Sequence, residues 1–362
     1  MRTIAVLTSG GDAPGMNAAV RAIVGVTCGL GGTVLGVRHG YQGLIAADFQ
    51  PLTPAAVDGW NRRGGSVLGS SRSLPFRTPE GRAQALDSLA AQGVEDLVVI
   101  GGNGSLAGAR ALAASARDRG QALRVVGIPA SIDNDIATTS LSIGVDTALG
   151  TIVECCDKIL DTASSHARTF LVEVMGRDCG YLAMTAAVAT GADGVLYPEA
   201  RLGEDEILAR VAAIVRRAYV PEDGRHRVLI VKAEGVALPV ETLRERLDAQ
   251  LQSEGLAVET RSVVLGHVVR GGAPSATDRL IAGRLGHAAV RALLDGRDQV
   301  MTAWHPPPLG EPPGDALALD PYVRLVPLDR VLRETDAIAA GTHPIAAFRA
   351  KLLAAAEPFL AV

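Results

Sequence analysis

The sequence lacks any apolar run long enough to cross a membrane. Its apolar runs, such as VLIV before Lys232, fall far short of the roughly 20 residues that a membrane-spanning helix needs. The first residues run from Met1 directly into a strand pattern, without a charged leader and without a cleavable apolar segment. We therefore expect a cytoplasmic protein that has no membrane partner.

An excess of charge of one sign is also missing. The 35 Lys and Arg residues nearly balance the 39 Asp and Glu residues, which leaves a net charge of -4. Such a balance excludes a surface built to bind polyanions, so we expect no nucleic-acid partner. Hydrophobic residues make up 48% of the chain, which excludes a disordered protein.

Cysteine is scarce, and its spacing does not fit a zinc site. The four cysteines are Cys28, Cys155, Cys156 and Cys179. Two of them are adjacent and cannot easily close an unstrained disulfide. We interpret all four as reduced, small core residues.

Apolar, β-branched runs alternate with helical patterns along the chain. This rhythm predicts parallel strands joined by helices, and a chain of 362 residues is long enough for two such lobes. The fold class that we predict is α/β, with two Rossmann-like lobes and mainly parallel sheets. The proline-rich segment 305–313 is predicted to be a connection. The predicted strands are 3–8, 33–37, 96–100, 124–128, 169–175, 227–231 and 258–265, and the predicted helices are 16–27, 146–164, 181–190 and 240–253.

Two glycine-rich turns stand between a strand and a helix. The first is SGGDAPGMNAA at 9–19, and the second is GGNGS at 101–105. Free N–H groups at a helix start bind anions, and glycine lets a ligand approach the backbone closely. Neither turn has the Walker sequence. The first turn alone fits a plain connection with an Asp cap, but two such turns on neighbouring parallel strands predict a crevice for a polyphosphate.

The next strand is followed by PASIDNDI at 129–136. One of its two carboxylates, Asp133 or Asp135, is placed to take a proton from a hydroxyl, while the other holds a metal or orients its neighbour. Short Asp-Asn-Asp runs are also common in simple turns. The position at a strand end favours the catalytic interpretation.

Single basic residues recur near later strand ends. Four arginines near strand ends in an acidic chain indicate a clamp for a small phosphate, with Glu234 accepting hydrogen bonds from sugar hydroxyls. The basic residues of this group are Arg168, Arg177, Arg261, His267 and Arg270.

Five segments, taken together and in this order, resemble the 6-phosphofructokinase family of bacterial type. The resemblance covers residues 3 to about 280, and the last 50 residues match only loosely. The segments are TSGGDAPGMNAA, NRRGGSVLGSSR, PASIDNDI, SSHARTFLVEVMGR and ETRSVVLGHVVRGGAP.

The resemblance implies transfer of the γ-phosphoryl group of ATP to the 1-hydroxyl of fructose 6-phosphate, a step of glycolysis. Asp133 would be the base, and Ser131 would contact the transferred group. Asp135 would position the sugar or the metal. Arg72 would brace the transition state. The residues implied at the nucleotide are Gly11, Tyr41, Arg72, Arg77, Gly102, Asn103, Gly104 and Ser105.

The resemblance also implies a sugar site and an assembly. Met175, Gly176, Arg177 and Glu234 would surround the sugar, while Arg168, Arg261, His267 and Arg270 would grip its 6-phosphate. Arg168 and Arg261 would come from a neighbouring subunit, so that a complete site needs a homodimer or homotetramer. The active site would lie in the cleft between a donor lobe, 1–144 plus 263–313, and a sugar-phosphate lobe, 145–262 plus 314–362.

One departure from the family pattern concerns the metal and the donor. Asn103 stands where ATP-using members have an aspartate that helps to hold Mg²⁺. An amide oxygen still ligates Mg²⁺ but carries no charge, so we expect slower turnover or a changed metal preference. Gly104 leaves room for a nucleotide, and Ala130 replaces a lysine typical of pyrophosphate users; both favour ATP.

Three alternatives stay open at this point. The first is a pyrophosphate-dependent enzyme, and the second is a low-activity or regulatory homologue that binds sugar phosphate, which Asn103 favours. The third is a longer acceptor sugar, such as sedoheptulose 7-phosphate.

Overall fold

The structure is a computed structural model that describes residues 2–219, 226–306, 320–345 and 351. In chain order its strands are β1 (Thr3–Ser9), β2 (Thr33–Val37), β3 (Phe49–Leu52), β4 (Asp96–Gly101), β5 (Arg124–Pro129), β6 (Arg168–Val174), β7 (Gly194–Leu196), β8 (Val228–Ala233), β9 (Glu259–Val264), β10 (Val300–Trp304) and β11 (Val323–Pro327). Its α-helices are α1 (Met16–Gly29), α2 (Gly40–Ile45), α3 (Pro79–Ala91), α4 (Asn103–Asp118), α5 (Val145–His166), α6 (Tyr181–Thr190), α7 (Glu204–Ala218), α8 (Val240–Ser253), α9 (Ala276–Leu294) and α10 (Leu328–Ala339).

The chain divides into two compact units. The first comprises Met1–Thr147 and Arg270–Asp336, and the second comprises Ala148–Val269 and Ala337–Val362. Both are α/β units built on mainly parallel sheets, as the alternating pattern predicts.

The first unit contains a sheet with the strand order β11-β10-β5-β4-β1-β2-β3. The neighbours β1, β2, β4, β5 and β10 pair in parallel, while β3 and β11 pair antiparallel at the two edges. β4 is buried at every position, which accounts for its unbroken apolar run DLVVI after a single Asp. The carboxyl ends of β1, β4 and β5 therefore lie side by side.

Helices cover this sheet through apolar stripes. α1 buries Val20, Ile23, Val24 and Thr27, which recur at helical spacing. α9 approaches the backbone of α1 closely at Gly286, where an added Cβ would lie 2.9 Å from the carbonyl oxygen of Ala19. A larger residue at this glycine would force the two helices apart.

The second unit has a parallel sheet with the strand order β7-β8-β6-β9. β6 and β8 form its centre and are buried almost throughout. The two candidate sugar-binding motifs, MGR and AEG, begin where these two central strands end.

The predicted strands and helices are present, with ends that differ by one or two residues. The residues 320–336, which the sequence analysis places in the second lobe, instead supply β11 to the sheet of the first unit by pairing Val300–Trp304 with Val323–Pro327. Most of the proline-rich segment, 307–313, lies outside the described residues. The four cysteines are free thiols; Cys156 and Cys179 are buried, whereas Cys28 and Cys155 are only half-buried. Burial raises the pKa of the Cys156 thiol to about 12, which keeps it protonated.

Candidate active site

Three loops meet at one edge of the first sheet. Ser9 at the end of β1 is opposite Gly101 at the end of β4, and Gly101 is opposite Pro129 at the end of β5. The two glycine-rich turns and the Asp-Asn-Asp segment follow these three residues. The prediction that the two turns share one sheet edge is therefore confirmed.

The segment that leads to Arg72 is held by a side chain of α1. Asn17, fully buried in α1, donates through Nδ2 to the carbonyls of Arg63 and Gly65, each at 2.9 Å. Its Oδ1 accepts from the backbone N–H of Val67 at 2.8 Å. These three hydrogen bonds hold the segment 63–67 across the start of α1. In the sequence, the asparagine of the motif GMNAA indicates this contact, because a polar residue inside an apolar helix stripe needs hydrogen-bond partners.

The same segment is fastened again before it reaches Arg72. Thr8 donates to the carbonyl of Gly69 at 2.9 Å, and Ser70 donates to the carbonyl of Gly10 at 2.6 Å. Gly10 has φ +86°, a left-handed conformation that favours glycine. Arg72 follows with an exposed side chain. Its backbone is thus anchored to the first turn while its guanidinium stays accessible to a ligand.

A hydrogen-bonded cluster joins the second turn to the Asp-Asn-Asp segment. Asn103, the first residue of α4, donates through Nδ2 to Asp135 Oδ2 at 2.6 Å. Ser131 donates through Oγ to Asp135 Oδ1 at 2.9 Å. Asp135 is thereby held by two donors, and Asp133 lies half-buried between Ser131 and Asp135 in the same short segment. Four predicted site residues come together here.

The amide oxygen of Asn103 fits a hard cation, and the backbone at Gly104 fits phosphate groups. Asn103 Oδ1 is buried and accepts no hydrogen bond from the described residues. An amide oxygen beside carboxylates is a donor set that Mg²⁺ accepts. No group of three or more His, Cys, Asp and Glu side chains within the described ranges forms a metal site by itself. At Gly104 an added Cβ would meet nothing within 4 Å, so the backbone there faces open space.

The loop that carries Asp133 is anchored from both sides. Asn134, buried and left-handed at φ 49°, accepts from the N–H of Ser142 at 3.0 Å. Thr335 of α10 accepts from the N–H of Ala137 at 2.9 Å. His305 contacts the carbonyl of Thr138 at 2.7 Å through Nε2, and burial lowers the pKa of this imidazole. These contacts fix the loop at positions that the sequence motif does not include.

A buried carboxylate fixes the end of the same loop. Asp278 of α9 accepts from the N–H of Gly144 at 2.7 Å and from the N–H and Oγ1 of Thr147 at 2.8 and 2.5 Å. Its burial raises the pKa of the carboxyl, and the three donated hydrogen bonds oppose that shift. Asp278 thus acts as an N-terminal cap for α5, supplied by another helix.

Arg270 lies at the first turn. Its Nη1 donates to the carbonyl of Asp12 at 2.9 Å, and a Cβ added to Gly11 would lie 2.7 Å from the same nitrogen. A larger residue at Gly11 would have to displace this guanidinium. The assignment of Arg270 to the sugar's 6-phosphate stays a prediction, while its contact in the structure is with the turn assigned to the nucleotide phosphates.

Tyr41 and Arg77, both implied at the nucleotide, differ in accessibility. Tyr41 is buried, stacks on Phe76 with ring centroids 4.0 Å apart, and donates its hydroxyl to the carbonyl of Ser105 at 2.6 Å. Its burial raises the pKa of the phenol far above the ordinary value. Arg77, in contrast, is exposed. In the structure Tyr41 supports the second turn through Ser105.

In the second unit, the MGR and AEG segments are tied together by their backbones. The N–H of Glu234 donates to the carbonyl of Val174 at 2.9 Å, and the N–H of Gly235 donates to Gly176 at 3.2 Å. Gly176 is left-handed at φ 131°, and an added Cβ would lie 2.5 Å from the carbonyl oxygen of Cys179. Met175 is buried, whereas the side chains of Arg177 and Glu234 are exposed.

Two of the predicted phosphate-binding arginines share one carboxylate. Arg168 Nε donates to Glu259 Oε2 at 2.5 Å, and Arg261 Nη2 donates to Glu259 Oε1. The hydrogen bond from Arg168 is the main reason that the pKa of Glu259 is lowered. This side-by-side placement follows from the register, in which Arg168 is opposite Glu259. His267 is exposed in a short 3₁₀ helix, 266–270.

Comparison with known proteins decides the family. The family model described as Phosphofructokinase matches residues 3–293. The chain belongs to the phosphofructokinase family. It is 48% identical over 305 residues to a Thermotoga neapolitana protein named ATP-dependent 6-phosphofructokinase, covering 84% of this chain and 90% of the relative. A Staphylococcus carnosus protein of the same name is 44% identical over 297 residues, covering 82% and 87%.

A solved structure of this family shares the fold. Phosphofructokinase from Saccharomyces cerevisiae superposes with a TM-score of 0.81 at 34% identity and covers 94% of this chain. The chain spans 47% of that yeast chain. The predicted α/β fold with two mainly parallel sheets is confirmed. No helix within the described ranges combines the length and the apolar character needed to span a membrane.

Proposed function

We propose that this phosphofructokinase transfers the γ-phosphoryl group of ATP to the 1-hydroxyl of fructose 6-phosphate, giving fructose 1,6-bisphosphate and ADP. The observation that carries the proposal is the cluster of Asn103, Ser131 and Asp135, which holds the Asp133 segment beside the start of α4. A carboxylate next to free helix N–H groups provides both a base and an anion site.

Asp133 is the base in this proposal. It accepts the proton of the 1-hydroxyl as that oxygen forms its bond to the γ-phosphorus and the bond to the β-phosphate oxygen breaks. The electron pair of the broken bond leaves with ADP. Asp135 is not the base, since its two oxygens already accept hydrogen bonds from Asn103 and Ser131. Its role is to keep Ser131 beside the transferred group.

The donor phosphates occupy the first and second turns. Gly11 and Gly104 permit close approach of the backbone, Gly102 and Ser105 shape the second turn, and Arg72 brings an exposed positive charge. Arg72 would stabilise the charge that develops on the equatorial oxygens, a contact worth about 2 to 4 kcal/mol in a transition state. The names of the relatives and the open space at Gly104 support ATP over pyrophosphate.

We infer a magnesium ion at Asn103. Its buried Oδ1 accepts no hydrogen bond from the described residues and is available as a neutral ligand. When bound there, Mg²⁺ would offset the negative charge of the donor phosphates. Asn103 supplies no charge of its own, so the cation must be held mainly by the nucleotide.

The sugar phosphate is assigned to residues of the second unit and to Arg270. Met175, Gly176, Arg177 and Glu234 would contact the sugar hydroxyls and ring. Arg168, Arg261, His267 and Arg270 would bind the 6-phosphate, and a phosphate dianion can displace Glu259 from its two arginines because it carries more charge.

We further propose a homodimer or homotetramer in which Arg168 and Arg261 serve a neighbouring subunit. Two inactive variants test this arrangement. Asp133→Ala lacks the base, and Arg261→Ala lacks a phosphate ligand. When the two variants are co-expressed, mixed oligomers contain some sites that take an intact Asp133 from one subunit and an intact Arg261 from its neighbour, so these oligomers should recover part of the activity. Absence of recovery in isolated mixed oligomers would contradict shared sites.

A coupled assay tests the reaction itself. Purified protein is supplied with fructose 6-phosphate and either ATP, GTP or pyrophosphate, and fructose 1,6-bisphosphate is measured. We expect turnover with ATP, and a loss of about 10²- to 10⁴-fold in kcat for Asp133→Ala with unchanged melting temperature. Binding of fructose 6-phosphate without any turnover would instead identify a regulatory homologue. Sedoheptulose 7-phosphate in the same assay tests the longer acceptor.

A further inference from the structure

A lysine is completely buried inside the second unit. Lys232 on β8 is 1% exposed and is the largest of the fully buried side chains among the described residues. Its Nζ donates to Glu173 Oε2 on β6 at 2.7 Å and to the carbonyl of Ala233 at 3.2 Å. The proposed reaction leaves this ion pair without a role.

Fold stability alone does not account for the pair. Removing an ammonium and a carboxylate from water costs several kcal/mol per ion, and apolar residues of similar volume are often as stabilising or more so. β8 is otherwise apolar from Val228 to Val231, so the strand pattern would accept such a residue at position 232. The position of the ion pair in the unit must therefore account for its presence.

The pair lies near the ends of the two strands that lead into the candidate sugar-binding residues. Lys232 is opposite Glu173 in the register of β8 and β6. The backbone pairing continues past the end of β8, since the N–H of Glu234 donates to the carbonyl of Val174 at 2.9 Å. Each member of the pair precedes a candidate sugar-binding residue by two positions.

The contacts of Lys232 extend into the loop that carries Glu234. The carbonyl of Ala233, which receives the second hydrogen bond from Lys232, also accepts from the N–H of Val236 at 3.2 Å. The backbone N–H of Glu234 donates to the carbonyl of Val174, which links the end of β8 to the end of β6. The ammonium thus ties the ends of β6 and β8 together at the point where the MGR and AEG segments begin.

We propose that Lys232 and Glu173 are a positioning pair for the acceptor sugar, which set the placement of Met175 and Glu234. The inference rests on the proposed function, in which those two residues contact fructose 6-phosphate. A misplacement of about 1 Å can cost on the order of 100-fold in rate or binding, so a small shift of either strand end is enough to be measured.

The double variant Lys232→Met/Glu173→Leu tests the proposal. It replaces the pair by apolar side chains of similar size, and we expect a melting temperature near that of the parent protein. The KM for fructose 6-phosphate should rise about tenfold, while kcat and the KM for ATP change less than threefold. Calorimetric titration of fructose 6-phosphate without ATP should show the same tenfold loss.

Two further variants complete the test. Arg216→Gln/Glu254→Gln removes an exposed ion pair of the same unit, with both nitrogen–oxygen distances at 2.6 Å, and should leave all three constants unchanged. Lys232→Met removes both hydrogen bonds of the ammonium while leaving the half-buried Glu173, and it decides the case if the double variant fails to fold. A selective rise in the fructose 6-phosphate KM supports positioning.

An unchanged sugar KM in a folded variant, or an equal rise of both KM values, overturns the inference and leaves a merely structural pair. The activity of the parent protein distinguishes failure of the proposed function from failure of this inference. If the parent does not phosphorylate fructose 6-phosphate, the reaction assignment falls; if it does and the variants match it, only the inference falls.

Discussion

Replacing Asn103 by aspartate should make the stability of this protein depend on magnesium. In the parent protein the amide nitrogen of Asn103 donates to Asp135 Oδ2 at 2.6 Å. Asn103→Asp exchanges that donor for a second negative oxygen. Two unit charges that relax to 4 Å apart repel by about 4 kcal/mol at the effective dielectric constant of about 20 that applies near a protein surface.

The repulsion can be measured as a melting temperature. For a domain of about 150 to 250 residues, each kcal/mol shifts the melting temperature by about 2 to 4 °C, so we expect Asn103→Asp to melt about 8 to 16 °C lower in EDTA. A cation between the two carboxylates removes the repulsion. Millimolar Mg²⁺ should therefore restore most of the lost stability, whereas the parent protein should respond little.

A neutral variant separates charge from the lost hydrogen bond. Asn103→Ala loses the same contact without adding charge, so it should lose only about 1 kcal/mol and show no dependence on Mg²⁺. At saturating Mg²⁺ we expect kcat of Asn103→Asp to exceed that of the parent, since the added charge helps to hold the cation, and Mn²⁺ should be compared in parallel. Equal melting of Asn103→Asp with and without Mg²⁺, together with no gain in kcat, would refute the reasoning.

Three other changes have defined outcomes. Asp278→Ala removes an acceptor of three hydrogen bonds and should lower the free energy of unfolding by about 3 kcal/mol in urea titrations; a loss below about 1 kcal/mol would contradict its capping role. Burial lowers the pKa of His305, so the unfolded chain takes up this proton first as the pH falls below about 6.5, and stability decreases toward the lowered pKa. His305→Gln should show a shallower decrease in unfolding experiments between pH 7 and 5, and parallel curves would exclude the effect. Gly104→Asp places a carboxylate in the open space of the second turn and should raise the KM for ATP while sparing that for fructose 6-phosphate; a constant KM for ATP would place the nucleotide elsewhere.

The order of strands and helices could be predicted because local patterns determine it. β4 is an apolar run followed by Gly-Gly, and α1 repeats apolar residues at helical spacing, so both elements are visible without any partner. Four strands, β3, β7, β10 and β11, were not predicted. β7 has only three residues, while β3 and β11 each contain a proline and pair antiparallel at an edge of the sheet, so their local patterns carry little information.

The candidate site was predictable only where its residues lie in motifs. Asp133, Ser131 and the two glycine-rich turns follow strands directly. Asn17 and Asp278, which fix the same loops, act over separations of 46 and 131 residues, and no local pattern indicates such contacts. The burial of Lys232 beside Glu173 could not be predicted either, because a lone lysine near a strand end usually faces water.

The sequence by itself determined the alternation of strands and helices, the three loops after β1, β4 and β5, and the exchange of an acidic side chain for Asn103. Those features depend on residue type and short spacing alone. Only the tertiary structure decided that Asn103 and Ser131 both donate to Asp135, that Tyr41 is enclosed beneath the second turn, and that Lys232 is paired with Glu173. The contacts of Asn103, Tyr41 and Lys232 join segments whose distance is set by strand order and register, which arise from packing of the whole sheet.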